Sequence, residues 1–540
     1  VRRPNRHLRV HEQGRPPART HPAGRPRPVQ RHLRRSGHPD RLTQLVEPRT
    51  PPAPDLPLFM ILHREHRPVD QQTPHQIGAG SCFCYTVDMH PLSYASAIPP
   101  HIRVGRFVAD EPRLGWMFKF LRHVPRAEAY IVGGTARDAV KGVLPKGLHV
   151  VIRNVPQRDL NDTLRKMGIT DPKDDTTLFF RPDRFKNEEA LEISIPHDGR
   201  PEPYAPISYD LGRRDFTMNA MAYSLNSGLL IDPFGGVRDL HEHKLRAVGR
   251  PSARFAEHPR RALRALRLAS EHRYGIEGAT WKGLKSHLPH LNRVVTNDDG
   301  AAVFETPRSH IGHEFLRTLS GHPSYGLKLW RDSGASGLFT PELDRLSDIH
   351  HRGGETSLQR AEKTLQELGH PVPTLVFAAL LSHLEDIALD SAKSLIVRLH
   401  LHAAHPHFDH NDALWMLEHK NILEEAEPEH MSASVFENVF GKERGQHLLT
   451  FLHATHRSSG LHTKTRDRLH QATKRRQELV TDVKKPQLLR GRDLESLGVL
   501  PGPKYRKILA KIRDAKLDGH VSDHEEAMNY ARNLVAAHVI

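Results

Sequence analysis

YIVGGTARDAVKGVLPKGLHVVIRN, residues 130–154, carries two apolar runs around a glycine pair and a short polar helix pattern. AYIVGGT (129–135) reads as a buried strand ending in Gly133-Gly134, ARDAVKG opens a helix, and GLHVVIRN returns as a second strand. A glycine pair between strand and helix lets backbone amides approach a phosphate closely, because neither residue carries a side chain. Arg137 then stands within reach of phosphate oxygens. In the second strand alternate residues share a face, so Gly147 and His149 point the same way, toward the space the glycines open.

Outward from this stretch, RLGWMFKFLRHV (113–124) and PQRDLNDTLRKMG (156–168) have helical spacing, and TLFFRP (177–182) and ALEISIP (190–196) read as strands. Strands alternating with helices indicate a sheet unit over roughly 110–245. From about 255 the pattern is helical. ARFAEHPRRALRALRLASEHR places Leu263, Leu266 and Ala269 on one face, while Arg261, Arg264 and Arg267 recur every three residues on a broad second face. Further helical runs include ETSLQRAEKTLQELG, PTLVFAALLSHLEDIA and DSAKSLIVRLHL. A small helical unit closes the chain, its last helix opening on a capping box of Ser522 with Glu525.

The 540 residues carry a formal charge of +16, which points to a polyanionic partner such as nucleic acid. Half of that excess lies in residues 1–88, which hold 15 Arg and no Lys against 7 Asp+Glu, a net of +8, together with 14 of the 41 prolines. This composition predicts a disordered Arg/Pro-rich segment. A basic RNA-contacting arm and a non-native stretch translated ahead of Met89 both fit; the missing lysine and the first residue Val1 favour the second. The N-terminus has no signal-peptide pattern and no apolar run is long enough for a membrane span. The two cysteines, Cys82 and Cys84, exclude a disulfide framework and suggest a cytoplasmic setting. HLHAAHPHFDH (400–410) is histidine-rich, but its spacing fits no zinc template.

Three stretches in order, VGGTARDAVKG (132–142), YDLGRRDFTMNAMAYSLNSGLLIDPFGGVRDL (209–240) and RFAEHPRRALRALRLASEHRYGIE (254–277), closely resemble the tRNA nucleotidyltransferase (CCA-adding enzyme) and bacterial poly(A) polymerase family. GGTARD (133–138) and RRDFTMNA (213–220) match its motifs residue for residue, and the C-terminal GRDLESLGVLPGPKYRKILAKIRDAKLDG matches moderately. The resemblance implies an α+β chain: a polymerase-β-like nucleotidyltransferase head over 89–245, then helical neck (246–320), body (321–485) and tail (486–540). It further implies nucleoside triphosphates (ATP, CTP) as ligands, Mg²⁺ as cofactor, the tRNA acceptor end as RNA partner and no membrane. By the same resemblance the nucleotide lies against Gly133, Gly134, Arg137, Asp138, Arg214, Asp215, Asn219, Glu257, His258, Arg261 and Arg264.

The resemblance also exposes a departure. The family places Asp-x-Asp just after Pro-Lys, and here Pro145-Lys146 is followed by Gly147-Leu148-His149. Two Mg²⁺ ions need paired carboxylates; glycine supplies no ligand and neutral histidine suits softer metals. Glu192 is the acidic strand position that remains. His258 replaces the aspartate of the base-selecting Glu-Asp-x-x-Arg motif, and Ser382-His383 replaces the family's His-Asp pair in AALLSHLED. Among 41 histidines these read as a drift from aspartate, and the expected consequence is a member of the family with lost or impaired catalysis.

Overall fold

The computed structural model describes residues 98–197, 201–369, 372–459, 463–482 and 487–536. The Arg/Pro-rich segment, both cysteines and Met89 lie outside the described residues. A seven-stranded mixed sheet holds the first part of the chain: β1 (Glu128–Val132), β2 (His149–Arg153), β3 (Gly168–Pro172), β4 (Thr177–Pro182), β5 (Leu191–Ser194), β6 (Ala222–Ser224) and β7 (Leu230–Ile231). Their order is β3-β4-β5-β2-β1-β6-β7. β1 and β2 are central because the Ala129–Val132 and Val150–Ile152 runs are apolar on both faces, so both faces must be covered. They pair antiparallel, with Tyr130 opposite Val151 and Ile131 opposite Val150.

Strand–helix alternation suggests parallel units, yet only β2 and β5 run parallel in this sheet; every other pair is antiparallel. The parallel pair sets His149 opposite Glu192. Edge strands β3 and β7 escape a reading by hydrophobic pattern, since GITDP is mostly exposed and β7 is two residues long. Backbone pairing alone recruits them. Trp116, Phe120 and Phe180 pack edge-on beneath the sheet, Trp116 and Phe180 at 4.6 Å between ring centroids. Fully burying each such ring contributes about 1.5–3 kcal/mol.

Beyond residue 250 the described chain is helical apart from two-stranded ribbons. The expected long helix over 253–273 is broken: Pro251–Glu257 ends, His258 turns extended, and Arg261–His272 begins anew. Pro259 causes the break, having no amide to donate and forcing the residue before it out of helical geometry. Leu263, Leu266 and Ala269 are fully buried as their period predicts. Arg267 departs from the expected arginine face. It is buried, its Nε donating to Glu314 at 2.7 Å and its Nη1 to Glu271 at 2.8 Å. Toward the C-terminal end of the described residues, Leu489, Leu494, Ile508, Ile512, Ala527 and Ala531 form an apolar cluster of their own. Its last helix caps one residue later than expected: Glu526 N–H donates to Asp523, and the Glu526 carboxylate accepts from Ser522 N–H and hydroxyl. Helix His524–Ala536 starts after Asp523, so Asp523 caps the Glu526 amide while the Glu526 carboxylate reaches back to Ser522, in place of a reciprocal 522/525 pair.

Candidate functional site

Helix Gly133–Lys141 starts directly on β1. Gly133 adopts φ +65°, a conformation that favours glycine, and a Cβ there would sit 2.9 Å from Arg214 Nη1 and push the guanidinium aside. No side chain caps this helix. Gly142 closes it in the left-handed conformation.

Facing the glycines is the start of β2. A Cβ on Gly147 would lie 3.6 Å from His149 Nε2, and one on Gly133 would lie 4.0 Å from His149 Nδ1. Gly133, Gly147, His149 and Arg214 therefore converge, as the alternation along the strand predicts. Thr135, which sequence reasoning passed over, holds this arrangement: its hydroxyl donates to Gly147 C=O at 2.8 Å and accepts from His149 N–H at 2.9 Å. The residue is buried. Thr135→Val leaves both backbone groups unpaired and is expected to lower stability by about 1–3 kcal/mol, read as a shift in urea midpoint. A signal existed in the sequence, because a hydroxyl beside the glycine pair is a ready local hydrogen-bonding group, but its partners lie 12 and 14 residues away.

A polar chain links all three motif stretches. Arg137 donates from Nε and Nη2 to both carboxylate oxygens of Asp138 (2.8 and 3.0 Å) and from Nη1 to Asn219 Oδ1 (3.0 Å). Asn219 donates to Asp215 Oδ1 at 3.1 Å, and Arg264 Nε donates to Asp215 Oδ2 at 2.6 Å. Burial works against the Asp215 carboxylate, but Arg264, Asn219 and the Phe216 N–H outweigh it and hold its pKa below the usual range. Arg214 donates to Asp210 at 2.9 Å. Arg261 reaches Glu257 (3.0 Å) and the Arg213 carbonyl (2.8 Å), and Glu257 also accepts from Arg254. His258 stands exposed at the helix break, apart from this chain of contacts.

Among the described residues no group of three His, Cys, Asp or Glu could hold a metal ion. Glu192, beside His149 across the parallel pair, is engaged by Lys173 Nζ at 3.1 Å. Burial lowers the His149 pKa; Glu192 opposes that, while Arg214, Lys173 and Arg264 add to it. A neutral imidazole and one ion-paired carboxylate are a poor match for Mg²⁺, which demands octahedral oxygen ligands. The residues present do not fit the two-ion centre.

A profile of the poly(A) polymerase head domain matches residues 129–246, from β1 past the RRDFTMNA stretch. The multifunctional CCA protein of Azoarcus sp. (strain BH72) is 34% identical over 230 residues, 41% of this chain and 51% of that protein. Residues 129–246 carry this head domain, and the chain is similar to proteins of the tRNA nucleotidyltransferase/poly(A) polymerase family. It spans about half the length of that Azoarcus relative and 61% of a Vibrio cholerae multifunctional CCA protein to which it is 31% identical. The CCA-adding enzyme of Levilactobacillus brevis aligns more fully, at 25% identity over 74% of this chain and 92% of that one. In fold, the crystal structure of the Bacillus stearothermophilus CCA-adding enzyme in complex with CTP superposes with a TM-score of 0.53 at 20% identity, covering 80% of this chain and all of that one. A nucleotidyltransferase head followed by helical domains is thus the fold of this chain.

Where the family's His-Asp pair is expected, the ring of His383 is hydrogen-bonded to Thr364 at 2.8 Å, and Thr364 contacts Ser458 at 2.5 Å. Burial, then Arg360, pushes the His383 pKa down to about 4. His383 is partly buried within the helical part of this chain.

Proposed function

We propose that this chain is an RNA-binding member of the CCA-adding/poly(A) polymerase family that keeps the nucleotide pocket and has lost nucleotidyl transfer. One observation carries the reading: at the start of β2 the pocket presents Gly147 and His149, and its neighbouring acid, Glu192, is held by Lys173. The partners that fit are a nucleoside triphosphate at Gly133, Gly134, Arg137 and Arg214, and a tRNA acceptor end along the helical part, in a cytoplasmic setting. The bound CTP of the Bacillus stearothermophilus enzyme supports the first partner. Assignment of 89–245 as head, 246–320 as neck, 321–485 as body and 486–540 as tail belongs to the same proposal.

A second reading, an active template-independent RNA 3′-end nucleotidyltransferase using Mg²⁺, is favoured by the preserved Arg137–Asn219–Asp215–Arg264 chain, which ties the motifs together as an assembled site would require. The two separate in one assay. Purified protein is incubated with tRNA lacking its CCA end, ATP, CTP and Mg²⁺; the silent reading expects no extension above background, and extension at ordinary rates rejects it.

RNA binding has its own expected result. Arg261 and Arg264 are partnered within the chain and Arg267 is buried, whereas Lys504, Arg506, Lys507 and Lys511 of helix Pro503–Leu517 are exposed. The logarithm of the tRNA association constant should fall with log salt by roughly one unit per phosphate contact. Replacing Lys504, Lys507 and Lys511 by glutamine should flatten that slope by roughly two to three units, and a slope unchanged by the triple replacement removes this surface from the interface.

A further inference from the structure

The pocket above Gly133 and Gly134 has a charge balance unlike that of a two-ion site. The charged groups acting on His149 are one carboxylate, Glu192, and three cations, Arg214, Lys173 and Arg264. Each cation has a carboxylate partner: Lys173 with Glu192 (3.1 Å), Arg214 with Asp210 (2.8 Å) and Arg264 with Asp215 (2.6 Å). None is used up. Arg214 meets Asp210 through Nε and Nη2, and its Nη1 lies over Gly133, 2.9 Å from where a Cβ would stand. Arg264 meets Asp215 through Nε and is 47% exposed; Lys173 is 44% exposed. The His149 ring makes no hydrogen bond to a described residue, and no side chain caps the helix that starts at Gly133.

In a site with paired aspartates, dications must first offset the carboxylates before a triphosphate can settle beside them. Here that offset is built into the chain. Removing two carboxylates changes the charge of the pocket by as much as binding one dication does, and an imidazole can donate a hydrogen bond where a carboxylate would repel a phosphate. We propose that this pocket takes the triphosphate of a nucleoside triphosphate without a divalent cation, with Arg214 Nη1 as its principal donor. The proposal rests on the reading above that the nucleotide pocket survives and the carboxylate pair does not.

Equilibrium dialysis of the full chain with labelled ATP and CTP, in excess EDTA and in excess Mg²⁺, tests it. Dissociation constants in the two buffers should agree within about threefold, and inorganic tripolyphosphate should displace the nucleotide. Arg214→Gln should weaken binding in EDTA by about tenfold through loss of a charge-assisted contact. A second variant reports in the opposite direction: Gly147→Asp with His149→Asp should lose about tenfold or more in EDTA and recover in Mg²⁺. Nucleotide bound in Mg²⁺ alone or in neither buffer, or a double variant that binds in EDTA as tightly as the native chain, overturns the proposal. Those results leave the tRNA-extension assay untouched, and extension by the native chain ends the silent reading whatever the dialysis shows.

Discussion

Gly147→Asp combined with His149→Asp should give the chain Mg²⁺-dependent nucleotide incorporation about 10³-fold above the native level, the scale on which several kcal/mol of metal-ion stabilisation act. The backbone is ready for it. Gly147 lies outside the left-handed region, and a Cβ there meets His149 Nε2 at 3.6 Å, an ordinary contact that widens once the ring becomes a shorter aspartate. Thr135 already clamps the carbonyl of 147 and the amide of 149, so two carboxylates would enter a backbone that is held in place. Arg214 and Lys173 stand near enough to keep both new acids ionised. Single-turnover extension of tRNA lacking its CCA end measures the gain. If the folded double variant stays silent, the fault lies beyond β2, and His258→Asp, restoring the acceptor beside Glu257, is the next replacement to add.

Acidification should unfold the chain well before carboxylates are protonated. Burial drives the pKa of His272 down to about 3 and those of His383, His405 and His456 to about 4, with Arg137 and Lys141 adding at His272, Arg360 at His383, His313 at His405 and His453 at His456. A histidine whose folded pKa lies below its unfolded value of about 6.5 favours the folded state fully above that value. Its contribution is lost as pH falls toward the folded pKa, because the unfolded chain then binds the proton and the folded chain does not. Each such group contributes a slope of at most about 1.4 kcal/mol per pH unit, less for the more open His405. By pH 5 the combined loss should reach several kcal/mol, comparable with the whole stability of an ordinary domain. Urea midpoints at pH 7, 6 and 5 check this. His383→Gln, which can still hydrogen-bond Thr364, should reduce the slope between pH 6.5 and 5 by about one group's share. An unchanged slope would mean that His383 titrates normally.

Local chemistry made much of this site legible before any coordinates. β1, β2 and β4 follow from apolar runs that no polar residue interrupts, and the turn at Gly133 follows from the one residue type that readily tolerates its φ. The missing carboxylates at 147 and 149 are visible because Pro145-Lys146 leaves little freedom to shift the register. The edge strands, by contrast, carry no pattern, since their stabilisation comes from a neighbour's backbone.

The sequence by itself determined which side chains exist at the pocket and that two expected acids are absent, because identity and spacing along a strand are properties of the chain. Only the tertiary structure decided what the arginines do. A three-residue period sets Arg261, Arg264 and Arg267 within a broad arc of one helix, but not which part of that arc is covered. Packing against the helix Arg308–Gly321 covered Arg267 and gave it Glu314, 47 residues away; the head gave Arg264 to Asp215, 49 residues away. Charges so distant along the chain meet only when apolar burial has brought their elements together, and no local pattern records that meeting.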